Sequence, residues 1–342
     1  MQIGIPRALS YYSFFPFWYG FFSDLGIEIV LSDVTTKQTM SSGSSLVVPE
    51  TCLPIKVYVG HILNLLDKGI DKIFVPSIQS IAPKIYNCSK IRGLPDLIRN
   101  VVKRDFTMIE ATLDKSEKNK GLYSFLAEAV KPFGITDMNR IKQASKKAWK
   151  VYNNFHIMTR SGISYKKALR YAMENKVIVS ENQKTYPINI ALIAHGYNLY
   201  DERVCMKIFD KLDKLDVQVY TADQLTQEQM EEGLNSMKSR LYWANEYELT
   251  GAAAYYIKDR QIDGLITINA FGCGPDSLML ERISRFARKG NKPVLHLSID
   301  EQTGEAGFVT RIEAFVDMLY RKKRFSIINK FKMPAKKDRY TN

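Results

Sequence analysis

Cysteine is scarce, with four in 342 residues. Four is too few for the disulfide framework of a small secreted domain, and none sits in a C-x-x-C pair, so zinc-ribbon and thioredoxin-type motifs are absent. Long apolar runs are missing too: the most apolar early stretch, Phe14 to Phe22, is far shorter than the ~20 residues a membrane helix needs. That stretch has no basic n-region and no small-residue cleavage site, so it does not read as a signal peptide. A cytoplasmic, reducing compartment is the default expectation, and there a free cysteine is more often a ligand, a catalyst or a core residue than half of a disulfide. Phosphate loops are lacking as well: there is no G-x-x-x-x-G-K-[ST] and no acidic strand followed by a Gly-rich turn.

Acid is in short supply, 36 Asp and Glu against 49 Lys and Arg, for a formal charge of +13. The excess is local. Residues 321–342 hold nine Lys or Arg and one acid, Asp338, so they supply +8 of the +13. A terminal basic cluster can bind phosphates non-specifically, but a solvated helix end followed by a frayed terminus is the simpler reading. Charge therefore makes no case for nucleic acid. The remainder is ordinary: 45% hydrophobic and 25% charged residues, over a length that suits about two domains.

Apolar strand-like runs alternate with helix-length amphipathic stretches at both ends of the chain. The pattern predicts strands near Gln2–Ile5, Ile27–Leu31, Ser45–Val48, Lys72–Val75 and Phe106–Ile109, with helices near Tyr11–Leu25 and Pro54–Lys68. Residues 121–186 change character: they are rich in Lys, Ala and aromatics at helical spacing, with one strand-like run at Val177–Val179. A second alternating region then predicts strands near Ile188–Ile193, Val217–Tyr220, Gly264–Ile268 and Pro293–Leu297. Helices are expected near Tyr200–Leu215, Leu241–Lys258, Pro275–Lys289 and Gly307–Lys323. The expected architecture is α/β, with two flavodoxin- or Rossmann-like parallel-sheet domains (1–120 and 187–324) facing across a cleft. A helical connector (121–186) joins them and a basic tail (325–342) follows.

In open parallel sheets, ligands sit where strand ends run into helix N-termini. Three cysteines fall in such loops. Cys273 lies in Phe271-Gly272-Cys273-Gly274-Pro275-Asp276-Ser277, after an apolar run and with Pro275 suited to a first helical turn. Flanking glycines and a helix N-terminus favour a metal-bound or reactive thiolate there, or a small residue filling a tight turn; the residues alone support both. Cys52 follows Val47-Val48-Pro49-Glu50-Thr51 and precedes Leu53-Pro54, again a helix start. Cys88 stands in a loop from Ile78 to Gly93. Cys205 shares a helical face with Ile208, Phe209 and Leu212 and reads as core. Three thiolates can hold an iron–sulfur cubane and leave one iron open to a further ligand.

Several segments resemble the activase-related branch of the 2-hydroxyacyl-CoA dehydratase superfamily, which also contains the double-cubane cluster proteins. They are Ile3-Gly4-Ile5-Pro6-Arg7-Ala8-Leu9 with Pro16-Phe17-Trp18, Glu50 to Lys56 with Gly60-His61, Asn87-Cys88 with Gly93-Leu94-Pro95, Phe271 to Ser277, and Ile299 to Gly307 running on to Phe315. The resemblance implies a 4Fe-4S or double-cubane cluster in the interdomain cleft held by Cys52, Cys88 and Cys273, although Cys88 is followed by Ser89 where relatives often have Pro. It also implies low-potential electrons accepted from an ATP-dependent activator protein, for a reductive or dehydration reaction, and a homologous subunit or second copy of the chain as further partner. Lacking phosphate loops, the chain resembles the electron-accepting component rather than the motor. A cluster-free ligand-binding or protein-interaction module on the same fold is the alternative.

Other residues weigh less. His195 ends a strand and suits either a structural hydrogen bond or acid–base work. His61 and His296 read as satisfied polar residues inside a helix and a strand. Asp300 and Glu301 could form an acid–base pair or cap the following Gly-rich turn, with capping the simpler reading. Arg282, Arg285, Arg288 and Lys289 complement a helix C-terminus, and the aromatics from Tyr11 to Phe22 read as core rather than as a base-stacking platform.

Overall fold

The computed structural model of the chain describes residues 1–179, 185–237, 241 and 243–332. The first half runs β1 (Gln2–Ile5), α1 (Tyr11–Asp24), β2 (Glu28–Leu31), α2 (Lys37–Leu46), α3 (Leu53–Asp67) and β3 (Lys72–Phe74). It continues through β4 (Ser77–Ala82), β5 (Ile85–Tyr86), α4 (Ser89–Arg92), α5 (Leu94–Val101), β6 (Thr107–Ile109) and β7 (Thr112–Asp114). Helices α6 (Leu122–Val130), α7 (Met138–Arg160) and α8 (Tyr165–Met173) follow. The second half comprises β8 (Ile188–Ala194), α9 (Gly196–Leu199), α10 (Ile208–Lys214), β9 (Val217–Thr221), α11 (Gln227–Met237), α12 (Ala244–Lys258), β10 (Gly264–Ala270), α13 (Gly274–Lys289), β11 (Val294–Ile299) and α14 (Glu305–Lys332).

Two four-stranded sheets organise these elements, in the orders β2-β1-β3-β6 and β9-β8-β10-β11, with every pairing parallel. Counted within its own sheet, each order is 2-1-3-4, so both halves are wound the same way. The expected α/β architecture of two parallel-sheet domains is what the chain adopts. In such a winding the crossovers leave the first strand on opposite sides, and a crevice opens between the carboxyl ends of the first and third strands. In the second sheet that crevice lies between His195, after β8, and Phe271–Cys273, after β10.

The two sheets share one apolar core. Leu53, Tyr58 and Ile62 of α3 belong to the same buried cluster as Ile190, Ile266 and Ile312 from the second half. The aromatics of α1 (Phe15, Trp18, Phe21, Phe22) fill a second core with Ile3, Ile5 and Phe74 and with Ala144 and Ala148 of α7, as their spacing predicts. No helix among the described residues is long and apolar enough to cross a membrane.

Four local expectations need correction. Ser45–Val48 is not a strand, because α2 reaches Leu46 and Val48 is exposed. A reciprocal Thr36–Thr39 capping box starts that helix, and Gly43 lets it pack directly on α3. The helix expected over Tyr200–Leu215 is interrupted between α9 and α10: the Asp201 carboxylate accepts the N–H groups of Arg203 and Val204, and Met206 and Lys207 take left-handed backbone. Cys205 lies in this interruption, buried against the core as expected but not on a helix. The loop from Ile78 to Gly93 is instead the hairpin β4–β5 plus α4, and β4 also pairs in parallel with β7 in a small third sheet. Val177–Val179 form no strand, with Val177 and Val179 both exposed. Helix α14 runs to Lys332; residues 333–342 of the expected basic tail lie outside the described residues, as do 180–184 of the connector.

Candidate functional site

Cys52, Cys88 and Cys273 occupy equivalent places: each is the N-cap residue of a helix, at α3, α4 and α13, with extended backbone (φ −64, −62 and −82°). Pro54 and Pro275 stand in the first turns of α3 and α13, where the missing N–H costs nothing. No disulfide engages any of the three, and each is only partly exposed. Gly272, at φ +72°, supplies the left-handed turn that carries the chain from β10 into Cys273.

The segments that carry these cysteines approach one another. Lys90, two residues past Cys88, donates from Nζ to the carbonyl of Glu50 at 3.1 Å, and a Cβ on Gly272 would stand 4.0 Å from that same oxygen. Burial pushes all three thiols up, and the Cys273 thiol is raised further by the Asp276 carboxylate and by Cys52 and Cys88. Opposing this, the backbone N–H groups of Ile55, of Lys90 and Ile91, and of Asp276 favour thiolate at Cys52, Cys88 and Cys273 respectively. Among the described residues no three of His, Cys, Asp or Glu stand where a single ion could bind them all. A cubane presents its irons at separate corners and takes thiolates that stand further apart. Three neighbouring cysteines, two of them at the N-termini of the long helices α3 and α13, fit such an anionic group.

His195 caps α9 beside this site, and its Nε2 lies 2.8 Å from Oδ1 of Asp276, three residues beyond Cys273. Burial opposes protonation of His195, but the charge and hydrogen bond of Asp276 outweigh it and hold the imidazole pKa above its ordinary value. The ring also stacks on Tyr197, with centroids 5.0 Å apart. Burial raises the Tyr197 phenol, and the charges of Asp276 and of Cys273, Cys88 and Cys52 raise it further. Sequence reasoning missed Asp276 and Tyr197, although each lies within three residues of one that it singled out.

The remaining candidates lie elsewhere. Asp300 accepts from the Gln302 N–H and the Thr303 hydroxyl and so caps its turn, while Glu301 pairs with the buried Lys56 of α3 at 2.5 Å. His296 bonds the hydroxyls of Thr267 and Ser284, each at 2.7 Å. His61 faces the Thr35 hydroxyl at 2.9 Å, and burial, then the Arg7 charge, lowers its pKa to about 3. Arg282 pairs with the buried Glu246, and Arg285 with Glu281.

Comparison with known proteins places the chain in a family. Residues 2–225, which include Cys52, Cys88 and His195, match the model described as "CoA enzyme activase uncharacterised domain". Residues 190–319, which include His195, Cys273 and Asp276, match the model of the 2-hydroxyglutaryl-CoA dehydratase D-component. No curated protein matches the chain. With the first match spanning well over half of its length, the chain belongs to the CoA enzyme activase domain family, within the 2-hydroxyacyl-CoA dehydratase and activase-related superfamily.

Proposed function

We propose that the chain is an iron–sulfur component of this superfamily. Cys52, Cys88 and Cys273 would hold a 4Fe-4S-type cluster, single or double, and the component would accept low-potential electrons from an ATP-dependent activator for a reductive or dehydration reaction. One observation supports the reading: three cysteines distant in sequence, from both halves, are helix N-caps, and the segments that carry them approach one another at the Glu50 carbonyl. A bound cluster would supply one-electron chemistry and, with three protein thiolates, an iron open to another ligand.

The chain's own residues set the conditions for that group. The amides facing each sulfur offset the negative charge that burial disfavours, and the Lys90 ammonium acts in the same direction at Cys52 and Cys88. Asp276 favours the protonated form of His195 next to the site, and burial favours the neutral phenol of Tyr197.

Anaerobic reconstitution with iron and sulfide tests the proposal. The expected result is about four irons and four sulfides per cubane with a broad visible charge-transfer band. Each of Cys52→Ala, Cys88→Ala and Cys273→Ala should lower the iron content, whereas Cys205→Ala should not. Colourless, iron-free protein after reconstitution would favour the cluster-free module and end this reading.

A further inference from the structure

A cavity of about 1040 Å³ opens at the carboxyl end of β1, between the two halves, and neither Cys52, Cys88 nor Cys273 lines it. Its walls include Arg7, Tyr12, Tyr165, Tyr200, Arg203 and Lys207. Arg7 belongs to the Ile3–Leu9 segment, which the cysteine site leaves without a role. Its backbone N–H donates to the Ser32 hydroxyl at 2.9 Å and its Nε to the Ser32 carbonyl at 2.7 Å. One edge of the guanidinium is thus fixed, and its terminal nitrogens have no carboxylate partner among the described residues.

Most of the acids along the same walls are paired: Glu174 with Lys176, Glu202 with Lys166, Glu301 with Lys56 and Glu305 with Lys211, while Asp201 accepts from the hydroxyls of Tyr12 and Thr35 and Asp300 from that of Thr303. Asp33, close to Arg7, is bonded to Lys68 at 2.7 Å. Arg7, Arg203 and Lys207 line this space and form no ion pair among the described residues. One strained stretch of the chain lines it: Met206–Lys207, at φ 50 and 52°. Non-glycine residues in left-handed backbone cost energy and cluster at binding sites. Tyr165 and Tyr200 stack at 4.1 Å between ring centroids, 16° from parallel, and supply a flat wall.

We infer that this cavity is a second ligand site, separate from the cysteines, for a small organic anion with a carboxylate or phosphate head and a flat apolar body. A carboxylate or phosphate head would supply these three cations with the ion-pair partner they lack. A polymeric anion would exceed a cavity whose volume suits one small molecule. The head bonds to the terminal nitrogens of Arg7, with Arg203 and Lys207 closing around it, and the body lies against the tyrosines.

Calorimetric titration of the full chain with benzoate and with phenyl phosphate tests this, with acetate and inorganic phosphate as heads without a body. One saturable site per chain is expected for at least one aromatic probe, tighter than for its bare head, and the better probe identifies the head group. Arg7→Ala should weaken binding by about tenfold or more, the scale of losing a charge-assisted contact. Arg203→Glu, at an exposed position where folding is not at stake, should do the same. A Cys52→Ala/Cys273→Ala double variant should bind as the wild type does. Absence of binding by both aromatic probes, binding unchanged in Arg203→Glu, or binding lost in the double cysteine variant would each overturn the inference.

Discussion

The His195–Asp276 pair shows how much one buried contact decides. At 2.8 Å and nearly enclosed, it raises the histidine pKa despite the cost of burying an imidazolium. A group whose folded pKa exceeds its unfolded value, ~6.5 for histidine, contributes its full stabilisation below the unfolded pKa and loses it as pH rises through the folded pKa. Asp276→Asn should therefore cost about 3 kcal/mol near pH 5.5 in the cluster-free protein, by urea unfolding, and distinctly less near pH 9. Equal losses at the two pH values would contradict the assignment. At this scale the sequence was informative where a helix start can be read locally, as at Cys52 before Leu53-Pro54 and at Cys273 before Gly274-Pro275. It was silent on Tyr197 and Asp276, whose importance comes from a partner supplied by a different strand.

Among elements, the crossing of α2 over α3 leaves least room for change. A Cβ on Gly43 would stand 1.8 Å from the Lys56 carbonyl, and one on Gly60 would stand 1.9 Å from that of Thr39. Either glycine replaced by alanine must push backbone against backbone, and Gly60→Ala should destabilise by about 3 kcal/mol, the upper end for overpacking. A shift in the urea midpoint measures it; an unchanged midpoint would mean that the helices part freely. Cys52 stands between the two helices that cross, at the start of α3, so iron retention in Gly60→Ala should fall as well. Periodicity exposed the longer strands such as β8 and β10 because both of their faces are buried. It did not expose α2, whose polar composition is held in place by its cap and by Gly43, nor the short β4, β5 and β7, which form through pairing with one another.

Across the whole molecule, the halves are joined by polar ties as well as by their common core. Lys56, 3% exposed, reaches across to Glu301, while Tyr12 and Thr35 of the first half hold Asp201 of the second. Glu301→Gln leaves the Lys56 ammonium buried without its counter-charge and should cost about 3 kcal/mol, whereas Lys56→Met combined with Glu301→Gln should recover most of that loss. Denaturant titration of the two single variants and the pair measures the coupling, and strictly additive losses would show that the contact is incidental. The two-domain architecture was legible because strands and helices alternate in both halves. The shared winding and the ties were not, since they arise from contacts between residues that no local pattern connects.

Cys52 and Cys88 emerge early in synthesis, and Cys273 follows only after most of the second half has been made. A ribosome-bound chain that has released its first sheet thus exposes two unpartnered thiols, with the third still to come. Completion of the sulfur trio is then a report that the second sheet has folded and docked, so loading of any prosthetic group on all three would act as a proofreading step for the finished chain.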